Sequence, residues 1–240
     1  MMIAGKSVLV TGANRGIGRA LVDEALGRGA ALIYAGIRQP FTHPDARVTP
    51  LTLDVTDAAQ VEAAAGQVGA LDVLINNAGV APYDDLSDAT ALEQALAVNL
   101  LGTHRVTRAF LPLLIKSRGA VVNNVSTMAF APLPLTPAYS ASKAATFSMT
   151  QSLRALLARQ EVSVHAVLTG PVDTDMTRGF EIPKASAESV ARAVFDGLER
   201  GEEDIFPDPM SQSVAEDWRG GFAKTLERQY AAIAAEVAAA

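Results

Sequence analysis

The sequence contains no cysteine, which excludes disulfide cross-links and thiolate metal ligands. Histidine is scarce as well. His43, His104 and His165 lie far apart and make no metal-binding spacing, so no metal site is expected. His165 alternates with valines in "VSVHAVL" and reads as a strand residue. No run approaches the roughly 18 apolar residues of a membrane span. The opening "MMIAGKSVLV" lacks the apolar core and small-residue cleavage site of a secretory signal. A cytoplasmic protein without a membrane partner is the expectation. Only 19% of residues are charged and the net charge is −6, which argues against a broad nucleic-acid-binding surface.

Apolar residues are plentiful, at 49% of 240 residues, enough to bury one sizeable core. Short apolar runs alternate with longer helical patterns. "SVLV" (7–10) precedes an amphipathic stretch at 16–28, and "ALIYA" (31–35) and "TPLTL" (49–53) precede an alanine-rich helix at 57–66. "DVLI" (72–75) leads into helical sequence over 89–116, and "AVVNNV" (120–125) into a helix over 138–159. "VSVHAVL" (162–168) is followed by a loop, a helix at 187–200 and a last strand at "EDIF" (203–206). Runs apolar along their whole length, each leading into a helix, indicate a parallel sheet covered on both faces. The expected fold is α/β, a doubly wound, Rossmann-type parallel sheet of about seven strands, with ligands at the carboxyl ends of the strands. It forms a single domain over 1–240 with an extra C-terminal helix. Residues 1–174 make the cofactor-binding and catalytic core, 175–187 a substrate loop and 211–238 a C-terminal helical extension.

Directly after the first strand comes "TGANRGIG" (11–18), with Asn14, Arg15 and Ile17 among the glycines Gly12, Gly16 and Gly18. Glycines let backbone amides approach a pyrophosphate, and the helix start that follows adds orphan N–H groups and a positive dipole end. Farther on, "YSASK" (139–143) places Tyr139 and Lys143 four residues apart, one above the other on a helix. That spacing alone shows only a shared face.

The motifs taken in order give it meaning. TGxxxGxG after the first strand resembles the short-chain dehydrogenase/reductase family. "LDV" (53–55) is similar to the family's adenine-side motif, with Asp54 and Val55. "NNAG" (76–79) resembles the segment after the fourth strand, giving Asn77, Ala78 and Gly79. Asn99 stands where the family has its catalytic asparagine. Ser126 lies thirteen residues before Tyr139, the common family spacing. "GPVDT" (170–174) is similar to the segment that embraces the nicotinamide carboxamide, giving Gly170, Val172 and Thr174. The resemblance implies that Tyr139 is the acid/base, that Lys143 is its electrostatic partner and a ribose ligand, that Ser126 binds the substrate oxygen, and that Asn99 holds a water in a proton relay. A free tyrosine has a pKa near 10, and a neighbouring Lys⁺ is expected to lower it toward the operating pH. Three features depart from the pattern: Val125 replaces a non-catalytic serine, Thr169 replaces a proline, and "RQPFTHPDARVTP" (38–50) has little room for a helix.

The cofactor is expected to be NADP(H). Counting from Thr11, Gly36 occupies the position at the end of the second strand where NAD-binding relatives carry an acidic residue. Arg38 and Arg15 supply guanidinium groups suited to a 2′-phosphate. Met128, Phe130, Met176 and Phe180, with "APY" (81–83) and Ile182, are the substrate-pocket candidates, and they favour a hydrophobic ketone or aldehyde. Arg178 and Lys184 leave an anionic substrate group open. The resulting expectation is an NADP(H)-dependent carbonyl reductase or alcohol dehydrogenase acting on a ketone, aldehyde or secondary alcohol. The alternative is a non-catalytic NADP(H)-binding redox sensor or scaffold. A homodimer or homotetramer is expected through the helices near 92–117 and 138–159, with Leu96, Leu100, Phe147 and Leu153 contributing. In the tail, Phe222, Leu226, Tyr230, Ile233 and Val237 form one apolar stripe, predicted to dock on the protein's own core or a neighbouring subunit. The segment "PDPMSQSVAEDW" (207–218) before it is expected to border the substrate pocket.

Overall fold

The computed structural model describes residues 1–39 and 42–237. Pro40 and Phe41, within the proline-rich stretch 38–50, and the terminal "AAA" expected to fray lie outside the described residues. Seven strands, β1 (Ser7–Thr11), β2 (Leu32–Ile37), β3 (Val48–Thr52), β4 (Val73–Asn76), β5 (Ala120–Asn124), β6 (Ser163–Val167) and β7 (Asp204–Ile205), form one parallel sheet. Their order is β3-β2-β1-β4-β5-β6-β7. Successive residues of a strand face opposite sides, and the packing follows that rule. Val8 and Val10 join Ile33, Ala35, Ile75 and Val122 in the core under α1 (Gly16–Gly27) and α6 (Ala187–Arg200). Leu9, Tyr34, Leu74 and Val121 join the core on the other face, under α2 (Ala58–Gln67), α4 (Thr103–Ser117) and α5 (Pro137–Leu157). Within it Phe110 and Leu114 are fully buried, each stabilising by roughly 2–3 kcal/mol.

The order reverses between β1 and β4, which pair in register with Val10 opposite Ile75. That reversal opens a crevice at the carboxyl ends of the two strands. The described residues between β2 and β3 contain no helix, in line with the proline content.

The helical sequence expected over 89–116 is helical throughout, in three pieces. A short α3 (Thr90–Ala95) passes into a π-helical stretch, Leu96–Gly102, before α4 begins. The wider π turn sets Asn99 facing Val80, with Asn99 Oδ1 accepting from Val80 N and Asn99 Nδ2 donating to Val80 O, both at 2.9 Å. Such bulges tend to occur at functional positions.

The tail forms α9 (Phe222–Val237), preceded by the short helices α7 (Pro209–Gln212) and α8 (Ala215–Gly220). Its apolar stripe does not dock on the protein's own core. Phe222 is 79% and Val237 73% exposed, and Tyr230 and Ile233 are exposed as well. Polar groups hold the helix instead. Buried Lys224 pairs with Asp204 at 2.7 Å and Glu227 at 2.9 Å, and Glu227 pairs with Arg154 of α5. Periodicity identified the stripe but not the surface that covers it. Phe147 is also reassigned: it is buried in the chain's own core, and the exposed large apolar residues here are Leu101 of the π turn, Ile115 of α4 and Leu156 of α5.

Candidate active site

At the end of β1 the chain turns sharply. Gly12 adopts φ +67°, and a Cβ there would lie 3.1 Å from Ala78 Cα. At Gly18 a Cβ would sit 2.1 Å from the Gly12 carbonyl oxygen, so no larger residue fits between loop and helix. Arg15 at the start of α1 gives no side-chain cap, which leaves the first N–H groups of the helix directed at the crevice for an anion. Thr11 secures the loop against the segment after β4. Its Oγ1 accepts from the amides of Asn77 and Ala78, each at 3.0 Å, while Asn77 Nδ2 donates to the Thr11 carbonyl at 3.0 Å.

At the adenine end, β2 runs one residue farther than the count from Thr11 implied. Gly36 is inside the strand, and its carbonyl accepts from Gly12 N at 2.8 Å. Ile37, not Gly36, ends the strand, and neither carries a carboxylate. Arg38 follows it, exposed and lining the cleft, with no hydrogen bond or ion pair among the described residues. Arg15 differs, because it already pairs with Asp175 at 3.0 Å. Asp54 and Val55 line the same end. Burial opposes ionisation of Asp54, but hydrogen bonds from Thr56 and the charges of Arg38 and Arg105 outweigh it and lower its pKa.

Tyr139 and Lys143 rise from the N-terminal half of α5, where Pro137 sits in the first turn. Lys143 is buried and donates from Nζ to the Asn124 carbonyl at 2.6 Å, lying 5.5 Å from the Tyr139 ring centroid. Ser126 stands beside the Tyr139 phenol and favours its ionised form. Ser126 Oγ accepts from Met128 N at 3.1 Å and donates to the Thr169 carbonyl at 3.2 Å. The predicted lowering of the tyrosine pKa is not what the protein's own groups produce. Burial pushes the Tyr139 phenol up to about 12, against the influence of Ser126, and pushes Lys143 down to about 8. Desolvation penalises both charged forms more than a cation 5.5 Å from the ring centre favours the phenolate. Asn99 Nδ2 also donates to Ser142 Oγ at 2.8 Å, so its amide joins α5 to the loop after β4. A Cβ on Gly79 would come within 3.2 Å of Asn99 Oδ1 and 3.8 Å of Lys143 Nζ.

Every residue assigned above to cofactor, substrate and catalysis, except Asn99, lines one cleft of about 2660 Å³. Its cofactor end runs from the glycine loop past Asn77, Ala78 and Gly79 to Gly170, Val172 and Thr174. Beyond Tyr139 the walls turn apolar, with Met128, Phe130, Met176 and Phe180 all present, and Phe180 stacks on Tyr83 at 5.9 Å. Met210, Val214 and Trp218 confirm that the 207–218 segment borders the pocket.

Residues 6–184 match the family described as short chain dehydrogenase. The chain belongs to that family. It is 33% identical over 208 residues to an uncharacterized oxidoreductase of Staphylococcus epidermidis, covering 80% of this chain and 90% of that one. It is likewise 33% identical over 222 residues to the short chain dehydrogenase pigC of Monascus ruber, covering 78% and 73% of the two chains. A crystal structure of a short chain dehydrogenase from Burkholderia cenocepacia in complex with NADP superposes with a TM-score of 0.86 at 38% identity, over 92% of this chain and 95% of that one. The chain is therefore an oxidoreductase of the short-chain dehydrogenase family, with the family's parallel sheet.

Three further residues shape this short-chain dehydrogenase site without having been singled out individually in the sequence. Asn124 donates from Nδ2 to Asn77 Oδ1 at 3.0 Å while its carbonyl receives Lys143, which ties the glycine loop to the lysine. Asp208, 2% exposed, accepts the Gly170 amide at 2.7 Å. Trp218 lines the substrate end. Trp218 falls in the 207–218 segment expected to border the pocket, and Asp208 left a trace of its own: an aspartate before a proline is a helix-start signal, and Asp208 does cap α7.

Proposed function

We propose that this chain is an NADP(H)-dependent carbonyl reductase or alcohol dehydrogenase that moves hydride between nicotinamide and a ketone, aldehyde or secondary alcohol. The observation that carries the reading is the meeting of Ser126, Tyr139 and, one helical turn away, Lys143 at the junction of the glycine-loop crevice and an apolar pocket. The residues present fit a dinucleotide. The uncapped start of α1 and the small residues Gly12, Gly16 and Gly18 suit the pyrophosphate, and the exposed Arg38, which makes no ion pair among the described residues, suits a 2′-phosphate. The NADP bound by the Burkholderia cenocepacia relative supports that choice.

The bound cofactor supplies hydride to the carbonyl carbon in the reductive direction. Ser126 hydrogen-bonds the carbonyl oxygen and Tyr139 delivers a proton to it, so the C=O π bond becomes an O–H. Lys143 stabilises the phenolate left behind, and Asn99 holds the relay that returns its proton. Tyr139→Phe is expected to abolish turnover, by about 100-fold or more, with NADPH binding retained. Steady-state kinetics and NADPH fluorescence titration check this. Turnover of the Phe variant within a few-fold of the unmodified protein would sink the reading.

A further inference from the structure

The cations of the substrate loop and of α5 are already engaged. Lys184 Nζ donates to the Thr177 carbonyl at 2.7 Å, and Arg178 pairs with Asp175. Arg154 is held by Asp204 at 2.8 Å and by Glu227. The carboxylates of Asp175, Glu203, Asp217 and Glu227 line the same cleft, against one lining guanidinium, Arg228, that makes no ion pair among the described residues, so carboxylates outnumber unpaired cations at that end. The notion that Arg178 or Lys184 receives an anionic group is thereby disfavoured.

Aromatic surface is concentrated there instead. Phe130, four residues after Ser126, stacks on Trp218 with ring centroids 4.4 Å apart. Phe147 meets both edge-on, at 5.4 Å from Phe130 and 5.3 Å from Trp218. Phe147 lies two turns beyond Tyr139 on α5, about 12 Å along the helix. Phe130 and Trp218 are half-buried and line the cleft with it. The Trp218 indole is fixed in place by a charge-assisted bond: Nε1 donates to Asp204 Oδ2 at 2.8 Å, and Asp204 is 5% exposed and held by Lys224 and Arg154. A wall whose rotamer is set before binding loses little freedom when a ligand lies against it.

From this geometry, and resting on the carbonyl-reductase reading above, we infer that Phe130 and Trp218 form the binding wall for the non-reacting end of the substrate, and that the substrate is an uncharged ketone carrying a flat ring system. Trp218 is the specificity-determining residue. It lies outside the family's cofactor motifs, and the β7 carboxylate Asp204 positions it.

Trp218 is also the sole tryptophan of the chain, so its emission reports on this wall whether or not turnover occurs. Titrating the Tyr139→Phe protein with 1-tetralone in the presence of NADP⁺ is expected to give saturable quenching of Trp218. Pyruvate and 2-butanone at equal concentrations are expected to give none. In the unmodified enzyme, Trp218→Ala is expected to lower the ratio of kcat/KM for 1-tetralone over 2-butanone by about tenfold, with melting temperature monitored alongside. Trp218→Phe keeps a ring but loses the bond to Asp204, and is expected to lie between the two. Saturable quenching without reduction of any ketone would overturn the reductase reading and leave the wall standing. Reduction of 1-tetralone without change in Trp218 emission, or an unaltered ratio in Trp218→Ala, would overturn the wall.

Discussion

The Asp208 carboxylate accepts the Gly170 amide at 2.7 Å with its Oδ2, while its Oδ1 accepts Ser211 N at 3.0 Å. One buried acid thus caps α7 and holds the glycine of the segment matched to the nicotinamide carboxamide. The fit is close, since a Cβ on Gly170 would come within 2.6 Å of Asp208 Oδ1.

Asp208→Asn keeps a capping oxygen but gives up the charge. It is expected to raise the KM for NADPH about threefold to tenfold, in line with the 1 kcal/mol or so that a charge-assisted bond adds. Asp208→Ala also removes the cap and is expected to lower the melting temperature by about 2–4 °C. Kinetics with varied NADPH and a thermal melt check the pair. An Asn variant with unchanged KM would show that Gly170 needs no anchoring.

The two arginines near the adenine end are predicted to be unequal. Arg38 makes no hydrogen bond or ion pair among the described residues and feels only the charge of Asp54, whereas Arg15 already pairs with Asp175. Arg38→Ala is expected to raise the KM for NADPH by about tenfold or more and to leave that for NADH within twofold. Arg15→Ala is expected to have a smaller effect, because a phosphate must compete with Asp175 for it. Equal losses with both cofactors in Arg38→Ala would contradict the assignment.

Lys143 carries a pH signature. Burial holds its folded pKa near 8, below the roughly 10.4 of an exposed lysine. The unfolded chain therefore binds more protons between those values, and stability without cofactor rises with pH across about 8–10. Lys143→Met removes the buried charge, a relief on the order of 3 kcal/mol, against the lost hydrogen bond to Asn124. It is expected to melt about 2–6 °C higher at pH 7, to lose that advantage by pH 10, and to be inactive. Melting curves at several pH values test the sign. A gap that widens with pH would refute it.

The sheet and the cofactor end were readable in the sequence because each rests on local pattern. Val8, Leu9 and Val10 need only an apolar strand, and Gly12 and Gly18 need only a backbone that comes close to its neighbours. Tertiary geometry was not readable. Nothing in "LAVNLLG" marks a π turn, since its apolar spacing also suits an α-helix. The Trp218–Asp204 and Gly170–Asp208 bonds join positions 14 and 38 residues apart, and no local rule links them. The tyrosine pKa went the other way because sequence shows the neighbouring charge and not the desolvation that outweighs it.

The tail separates two kinds of docking. Lys224 is 2% exposed and sits among Asp204, Glu203 and Glu227, so its removal leaves buried carboxylates short of a partner. Lys224→Met is expected to cost on the order of 3 kcal/mol, a fall of about 6–12 °C in melting temperature. The stripe makes the opposite prediction. Tyr230 and Ile233 are exposed on α9, as is Leu156 on α5, and surface changes at such positions alter the stability of a single chain by about 0.5 kcal/mol at most. An apolar row of that length costs free energy in water, and we propose that a second copy of the chain covers it, in a homodimer or homotetramer. Tyr230→Ser combined with Ile233→Ser is therefore expected to leave the unfolding of the isolated chain unchanged while dissociating the oligomer. Light scattering at micromolar concentration and melts across a dilution series measure the two effects separately. If the unmodified protein is already a monomer there, or the double variant assembles as before, the stripe is not an assembly face.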